Sequence, residues 1–210
     1  LSIRRQRQMC IRDRSSHEDI IEFSKHSSKP VINALSDESH PCQILADLMT
    51  YQEMNGSIKN KKIAWIGDGC NVCQTYMQAA GIFDFELSIA TPKEYEPSEL
   101  FIENYKKNIN FYSDPLMACE NADIIVTDVW TSMGQESEKK QRELAFTGFQ
   151  VDQNMMNQAK KDAIFMHCLP AYREKEVSSE VIDGNQSVVW SEAENRLHVQ
   201  KSLLLYLIEN

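Results

Sequence analysis

No apolar stretch in this 210-residue chain is long enough to cross a bilayer. The best candidate, Leu203-Leu204-Leu205-Tyr206-Leu207-Ile208, falls far short of the ~20 residues that a membrane helix needs. Basic residues are outnumbered as well: 22 Lys and Arg stand against 31 Asp and Glu, a formal charge of -9. That balance argues against a nucleic-acid partner, whose phosphates require a basic face. Metal-ligand spacing is missing too. The six cysteines are scattered and the five histidines form no matching pair, so no metal is expected. Cys70-Asn71-Val72-Cys73 has the CxxC spacing, but no second CxxC accompanies it and neither Trp nor Pro lies inside it. Two reduced cysteines on a first helical turn fit better than a redox dithiol or half a zinc site. Cysteine usage overall suits a reducing compartment, the cytoplasm. There is no internal repeat and no low-complexity stretch.

What remains is an ordinary globular composition, 42% hydrophobic and 25% charged, of a length that suggests one or two domains. Residues 1–14 stand apart, with five arginines and no acidic residue before Asp13. An Arg-rich, acid-poor start is compatible with a basic arm or a transit peptide, although its amphipathic periodicity is poor. Gln8-Met9-Cys10-Ile11-Arg12-Asp13-Arg14 also reads like the translation of a transposase-adapter end from library preparation. We expect native sequence to start near Ser15.

From there, helix and strand patterns alternate. Ser16 is placed as an N-cap before Ile20, Ile21 and Phe23, with Asp19 three residues on. Pro30–Asn33 reads as a short strand, and His40–Met54 as a helix with one apolar stripe. Strands are expected at Lys62–Ile66, Glu86–Ala90, Asn110–Tyr112, Ile124–Thr127, Ala163–His167 and Ser187–Trp190. Helices are expected at Asn71–Ala80, Ser98–Lys107, Pro115–Glu120, Glu136–Phe146 and Lys175–Ile182, with a last one over Ala193–Ile208. Short apolar runs such as Asp123-Ile124-Ile125-Val126 suit strands covered on both faces. The alternation predicts an α/β fold with a doubly wound, mostly parallel sheet.

In such a sheet, ligands bind beyond the C-terminal strand ends, and several polar motifs fall there. His167-Cys168-Leu169-Pro170 follows one strand, and Asp128-Val129-Trp130-Thr131-Ser132-Met133-Gly134 follows another. Gly67-Asp68-Gly69-Cys70-Asn71 joins a strand to a helix. It lacks the third glycine of a dinucleotide fingerprint, so a dehydrogenase-like module is weakly supported. Asn71 can present an amide and free N–H groups to a carboxylate. Asp128 can hold an ammonium group or simply cap a strand end. Met133 can line a pocket or pack, and Met133-Gly134-Gln135-Glu136 suits a lid. His40-Pro41-Cys42-Gln43 opens a helix with Pro41 at its first position, and His40 and Gln43 lie one turn apart. The pair can serve a carbamoyl group, or His40 can be an ordinary cap. Cys168 can be a nucleophile, a proton carrier or a small hydrophobe. His167 should point to the opposite face of its strand, so it is not the base of a Cys–His dyad. Cys168 is therefore read as a ligand-facing group. Arg196, expected at the start of the last helix, opposes the helix dipole there unless it has an anionic or carbonyl partner.

These motifs, in this order, resemble the ornithine carbamoyltransferases: His-Pro-x-Gln, Gly-Asp-x-x-Asn, Asp-x-Trp-x-Ser-Met-Gly, His-Cys-Leu-Pro and Ala-Glu-Asn-Arg. The resemblance runs from about Ser15 to Asn210. Aspartate carbamoyltransferases carry His-Pro-Leu-Pro where Cys168 stands, and the Ser132-Met133-Gly134 loop is the ornithine type. The resemblance implies carbamoyl transfer from carbamoyl phosphate to the δ-amine of L-ornithine, without metal or cofactor. By it, His40, Gln43 and Arg196 hold carbamoyl phosphate, while Asn71, Asp128, Ser132 and Met133 clamp ornithine. Cys168 and Leu169 join the carbamoyl-phosphate set by the same resemblance, and Cys168 with the Leu169 backbone orients the δ-amine. Cys168, Asp128 and Arg196 are the expected catalytic residues. A homotrimer is implied for the full-length parent. The implied division is 15–55, a remnant of the carbamoyl-phosphate-binding domain; 56–190, the ornithine-binding domain; and 191–210, a helix returning to the first. The family's Ser-x-Arg-Thr phosphate loop is absent, and neither Arg12 nor Arg14 is in register for a further phosphate-binding arginine. The 210 residues alone are thus expected to show negligible turnover. A non-catalytic amino-acid-binding fragment, a carbamoyltransferase for another amine and a thiol oxidoreductase are the competing readings.

Overall fold

A computed structural model describes residues 16–131 and 138–209. In chain order the elements are α1 (His17–His26), α2 (Pro41–Asn55), β1 (Lys62–Ile66), α3 (Asn71–Phe83), β2 (Glu86–Ala90), a 3₁₀ turn (Lys93–Tyr95), α4 (Glu99–Tyr105) and β3 (Ile109–Tyr112). There follow α5 (Pro115–Cys119), β4 (Ile124–Thr127), α6 (Lys139–Ala145), α7 (Gln153–Gln158), β5 (Ile164–His167), α8 (Ser179–Ile182) and α9 (Val189–Glu209). All five strands pair in parallel, in the order β3-β2-β1-β4-β5. Successive strands run outward from β1 to β3, and the chain then crosses to β4 on the other side of β1. The order reverses between β1 and β4, the point at which open α/β sheets form a ligand crevice.

Strand periodicity builds two cores. Ile63, Trp65, Ile124, Val126, Ile164 and Met166 point to one face, where Ile44 and Leu48 of α2 and Tyr76 and Met77 of α3 cover them. The intervening Ala64, Ile66, Ile125 and Phe165 point to the other, under Ala118 of α5, Met155 of α7 and Val181 of α8. Each large apolar side chain buried in this way contributes roughly 1.5–3 kcal/mol. The doubly wound reading therefore holds.

Four expectations fail. Pro30–Asn33 makes no strand; the Asn33 amide instead donates to the Ser36 and Ser39 hydroxyls. Ser187–Trp190 is not a strand either. Its run of valines begins like one, with Ser187 bridged to Phe165 and the Val188 N–H donating to the Phe165 carbonyl. The Val188 carbonyl then accepts from the Glu192 N–H, and the chain is already helical at Val189. Arg196 consequently lies two turns inside α9, so the argument from a cation at a helix start does not apply to it. Ser16 precedes α1 without a side-chain cap bond. Two short elements had no sequence signal strong enough to be read, α7 and the 3₁₀ turn.

That turn explains the glycine loop after β1. A Cβ on Gly69 would lie 2.4 Å from the Pro97 nitrogen and 2.6 Å from the Tyr95 carbonyl oxygen. Gly69 also donates its N–H to that carbonyl at 2.8 Å. The glycine is there for backbone-to-backbone packing rather than for a dinucleotide phosphate.

Candidate active site

Asp128 is the first residue beyond β4 and Cys168 the first beyond β5, so adjacent parallel strands deliver a carboxylate and a thiol to the same edge. Cys168 Sγ donates to Asp128 Oδ1 at 3.1 Å, and Cys70, opening α3 after β1, donates to Oδ2 at 3.8 Å. The Val129 N–H adds a third donor at 2.7 Å. Enclosure, then the adjoining Asp128 charge, pushes the Cys168 thiol well above its ordinary range, and Cys70 moves the same way for the same reasons. Both stay as uncharged S–H donors. That favours the ligand-facing reading of Cys168 over a thiolate nucleophile. Cys73 is buried and also shifted up, the opposite of a redox-active cysteine.

His167 points to the other side, as strand alternation requires, and its ring is fully buried. Its Nδ1 accepts the Leu169 N–H at 2.9 Å, which leaves the proton on Nε2, 3.3 Å from Glu176 Oε1. The bond fixes Leu169 at φ +53, a left-handed conformation that this side chain does not favour unaided. His167 thereby shapes the turn that carries Cys168 and the Leu169 backbone. Ligand atoms of Asp128, His167 and Cys168 come within 4.8 Å of one another. Both imidazole nitrogens are engaged with protein, so the trio does not offer an open ligand set.

The remaining side chains come from α2 and α9, which lie together. Arg196 Nη1 donates to Gln43 Oε1 and stands 3.5 Å from His40 Nε2. Gln43 is 1% exposed, and its Nε2 donates to Asp47 Oδ1 and Glu192 Oε1, both at 2.8 Å. Both amide hydrogens are thus engaged within the protein, and the amide oxygen holds Arg196. Asp47 Oδ2 accepts from the Tyr76 hydroxyl at 2.6 Å, and Glu192 Oε2 accepts from the His167 N–H at 2.9 Å.

Asn71 sits at the start of α3 as predicted, but its Nδ2 donates to the Ser36 carbonyl at 2.7 Å and its Oδ1 accepts from the Val72 N–H. Its carboxamide is thus engaged within the protein. Ser132 and Met133 lie outside the described residues, as do residues 1–14. Sequence reasoning brought Asp128 and Cys168 together, and His40, Gln43 and Arg196 together. It missed Asp47, Tyr76, Glu176 and Glu192, and also Arg142. Arg142, 7% exposed, donates to Asp68 Oδ2 at 2.7 Å and to the Trp130 carbonyl at 2.9 Å, and lies over the Tyr95 ring. It ties the loop after β1 to the segment after β4.

Burial pushes the Asp68 carboxyl up to about 6 from its ordinary 3.8, against the pull of Arg142. A carboxyl whose folded value is raised binds its proton more tightly in the native state. Its contribution is fullest below about pH 4 and is lost as pH rises to about 6. We expect Asp68→Asn to remove roughly 2 kcal/mol of that decline between pH 4.5 and 7, measured by urea unfolding at those two values. Equal pH slopes in the variant and the parent would refute it.

An open parallel sheet with a carboxylate and two thiols at its switch point defines an α/β protein of the class that binds ligands beyond its strand ends. Comparison with known proteins narrows the class. A family model described as aspartate/ornithine carbamoyltransferase, Asp/Orn binding domain, matches residues 59–207. Its companion, the carbamoyl-P binding domain, matches residues 4–53, starting inside the Arg-rich segment set apart above. The chain belongs to the aspartate/ornithine carbamoyltransferase family. Ornithine carbamoyltransferase of Ruthia magnifica is 62% identical over 194 residues, 92% of this chain and 65% of that protein. That of Hydrogenovibrio crunogenus is 53% identical, over 91% of this chain and 64% of the relative. The crystal structure of ornithine carbamoyltransferase from Burkholderia thailandensis superposes with a TM-score of 0.84 at 46% identity, covering 92% of this chain and 63% of that one. The chain therefore spans just under two thirds of these relatives' length.

Proposed function

We propose that this chain carries the ornithine side of a carbamoyltransferase that converts L-ornithine and carbamoyl phosphate into L-citrulline and phosphate. The observation that carries the reading is the Cys168–Asp128 hydrogen bond at the sheet's switch point. Asp128, largely stripped of water and bonded mainly to weak thiol donors, is a partly compensated anion suited to the α-ammonium group of an amino acid. Ser132, Met133 and Asn71 complete the clamp on the α-carboxylate and α-amine, Asn71 after releasing Ser36. The uncharged Cys168 and the Leu169 backbone, held in its turn by His167, orient the neutral δ-amine.

That amine attacks the carbamoyl carbon, the carbonyl oxygen takes up the charge, the C–O bond to phosphate breaks, and the proton lost by the amine leaves on the phosphate. Arg196 and His40 lie on the carbonyl side, where fixed donors stabilise the oxyanion. Holding both substrates together removes much of the entropic part of the barrier. The division into 15–55, 56–190 and 191–210 belongs to the same proposal, as does a homotrimer for the full-length protein. Among the described residues all five cysteines are free, which suits a reducing cytoplasm, and no helix is long and apolar enough to cross a membrane.

The test supplies the length that this chain does not span from the Ruthia magnifica relative, as a fusion. Citrulline and phosphate should form in equal amounts with ornithine and not with aspartate. Absence of citrulline, or faster carbamoylation of another amine, would overturn the proposal.

A further inference from the structure

We propose that Asp47 and Glu192 share a single proton across the α2–α9 contact, and that this half-ionised acid pair is the positioning element that turns the Gln43 carboxamide oxygen toward Arg196. Its consequence for carbamoyl phosphate rests on the function proposed above; its existence rests on geometry alone. Asp47 is 2% exposed and Glu192 is 1% exposed. One nitrogen, Gln43 Nε2, reaches both, at 2.8 Å each. The other oxygens are bound to the Tyr76 hydroxyl and the His167 N–H, and neither carboxyl has a cation bonded to it among the described residues. Two carboxylates this close and this dry cannot both ionise.

Burial, then the Asp47 charge, pushes Glu192 well above the usual carboxylate range, while burial raises Asp47 to about 6. Near neutral pH one proton therefore stays within the pair, whose two carboxyls are held together by the single Gln43 nitrogen. A carboxamide offers donors on one side and an acceptor on the other. With its NH₂ committed to two acid groups, Gln43 must show its oxygen to Arg196. A second negative charge would instead draw Arg196 inward as a counter-ion. The groups that face the pair are Tyr76 from α3, Gln43 from α2, Arg196 from α9, Cys168 after β5 and the His167 main chain, with His40 beyond Arg196.

Infrared spectroscopy of the 210-residue chain at pH 8 should show the carbonyl stretch of a protonated carboxylic acid, absent in Glu192→Gln. In the fused protein, Glu192→Leu should weaken carbamoyl-phosphate binding about tenfold or more. Glu192→Gln, which keeps the pair at one negative charge, should restore it to within about threefold. The parent should lose affinity at alkaline pH as the pair gives up its proton, and Glu192→Gln should lack that limb. No acid band in the parent, or a Glu192→Gln that is as weak and as pH-sensitive as Glu192→Leu, would overturn the inference. If Glu192→Leu fails to fold, the band and the Glu192→Gln pH profile decide. A Glu192-dependent band in a protein that binds no carbamoyl phosphate would refute the proposed function and leave the shared proton standing.

Discussion

Replacing Asp128 with asparagine should lower kcat/KM for ornithine by roughly 10²–10³-fold, the loss expected when one member of a buried, hydrogen-bonded charge pair is removed. Asp128 is 8% exposed, and the donors around it are two thiols and one backbone N–H. Thiols are weak donors, so the carboxylate awaits a stronger partner, and an α-ammonium group supplies both charge and hydrogen bonds. Asparagine keeps the shape but removes the charge, and half of its amide would turn N–H groups toward the substrate's own. The loss should fall mainly on KM for ornithine, with carbamoyl-phosphate affinity changed about twofold at most. Stability should hold or rise, because a neutral amide does not pay the desolvation cost of a buried anion. Steady-state kinetics of the fusion, beside urea unfolding, separate the two effects. A fall of less than tenfold would remove Asp128 from the ornithine site.

The sheet was legible because its strands obey one rule. Lys62–Ile66, Glu86–Ala90 and Ile124–Thr127 are short β-branched or apolar runs between turn signals, and the structure places each where it was expected. Ser187-Val188-Val189-Trp190 satisfies the same rule and is misread. One hydrogen bond to β5 draws it toward the sheet, but burying Glu192 against Gln43 and the His167 N–H requires helix from Val189. Local propensity carries no information about a partner 149 positions away. The same limit explains the site. Asp128 and Cys168 could be brought together because parallel strand ends share an edge. Asp47, Tyr76, Glu192 and Arg142 could not, since each looks like an ordinary polar position on an amphipathic helix until the opposing element is known. Gln43 was found for its motif, but its two acid partners were not. Its donors face inward to two acids, and its influence on the crevice passes through Arg196.

Arg196 is accordingly where the second large effect should appear. Arg196→Lys should lower kcat by roughly 10²–10³-fold, as does the removal of one preorganised donor to a developing oxyanion. The guanidinium is anchored at one corner, through Nη1 to Gln43 with His40 Nε2 nearby. Its Nε is buried and has no hydrogen-bond partner among the described residues. A planar fork fixed in this way keeps further N–H groups at set angles for an incoming oxygen, at little reorganisation cost. Lysine retains the charge but concentrates it at one flexible point, so it cannot both satisfy Gln43 and present a second donor at a fixed angle. Charge alone should sustain part of the binding, so KM for carbamoyl phosphate should rise only about tenfold while kcat carries the larger loss. Ornithine affinity should change little, because Asp128 and Cys168 belong to strand ends that Arg196 does not support. A kcat within about fivefold of the parent would mean that the arginine serves as a charge and not as an oriented donor, and the oxyanion role would pass to His40.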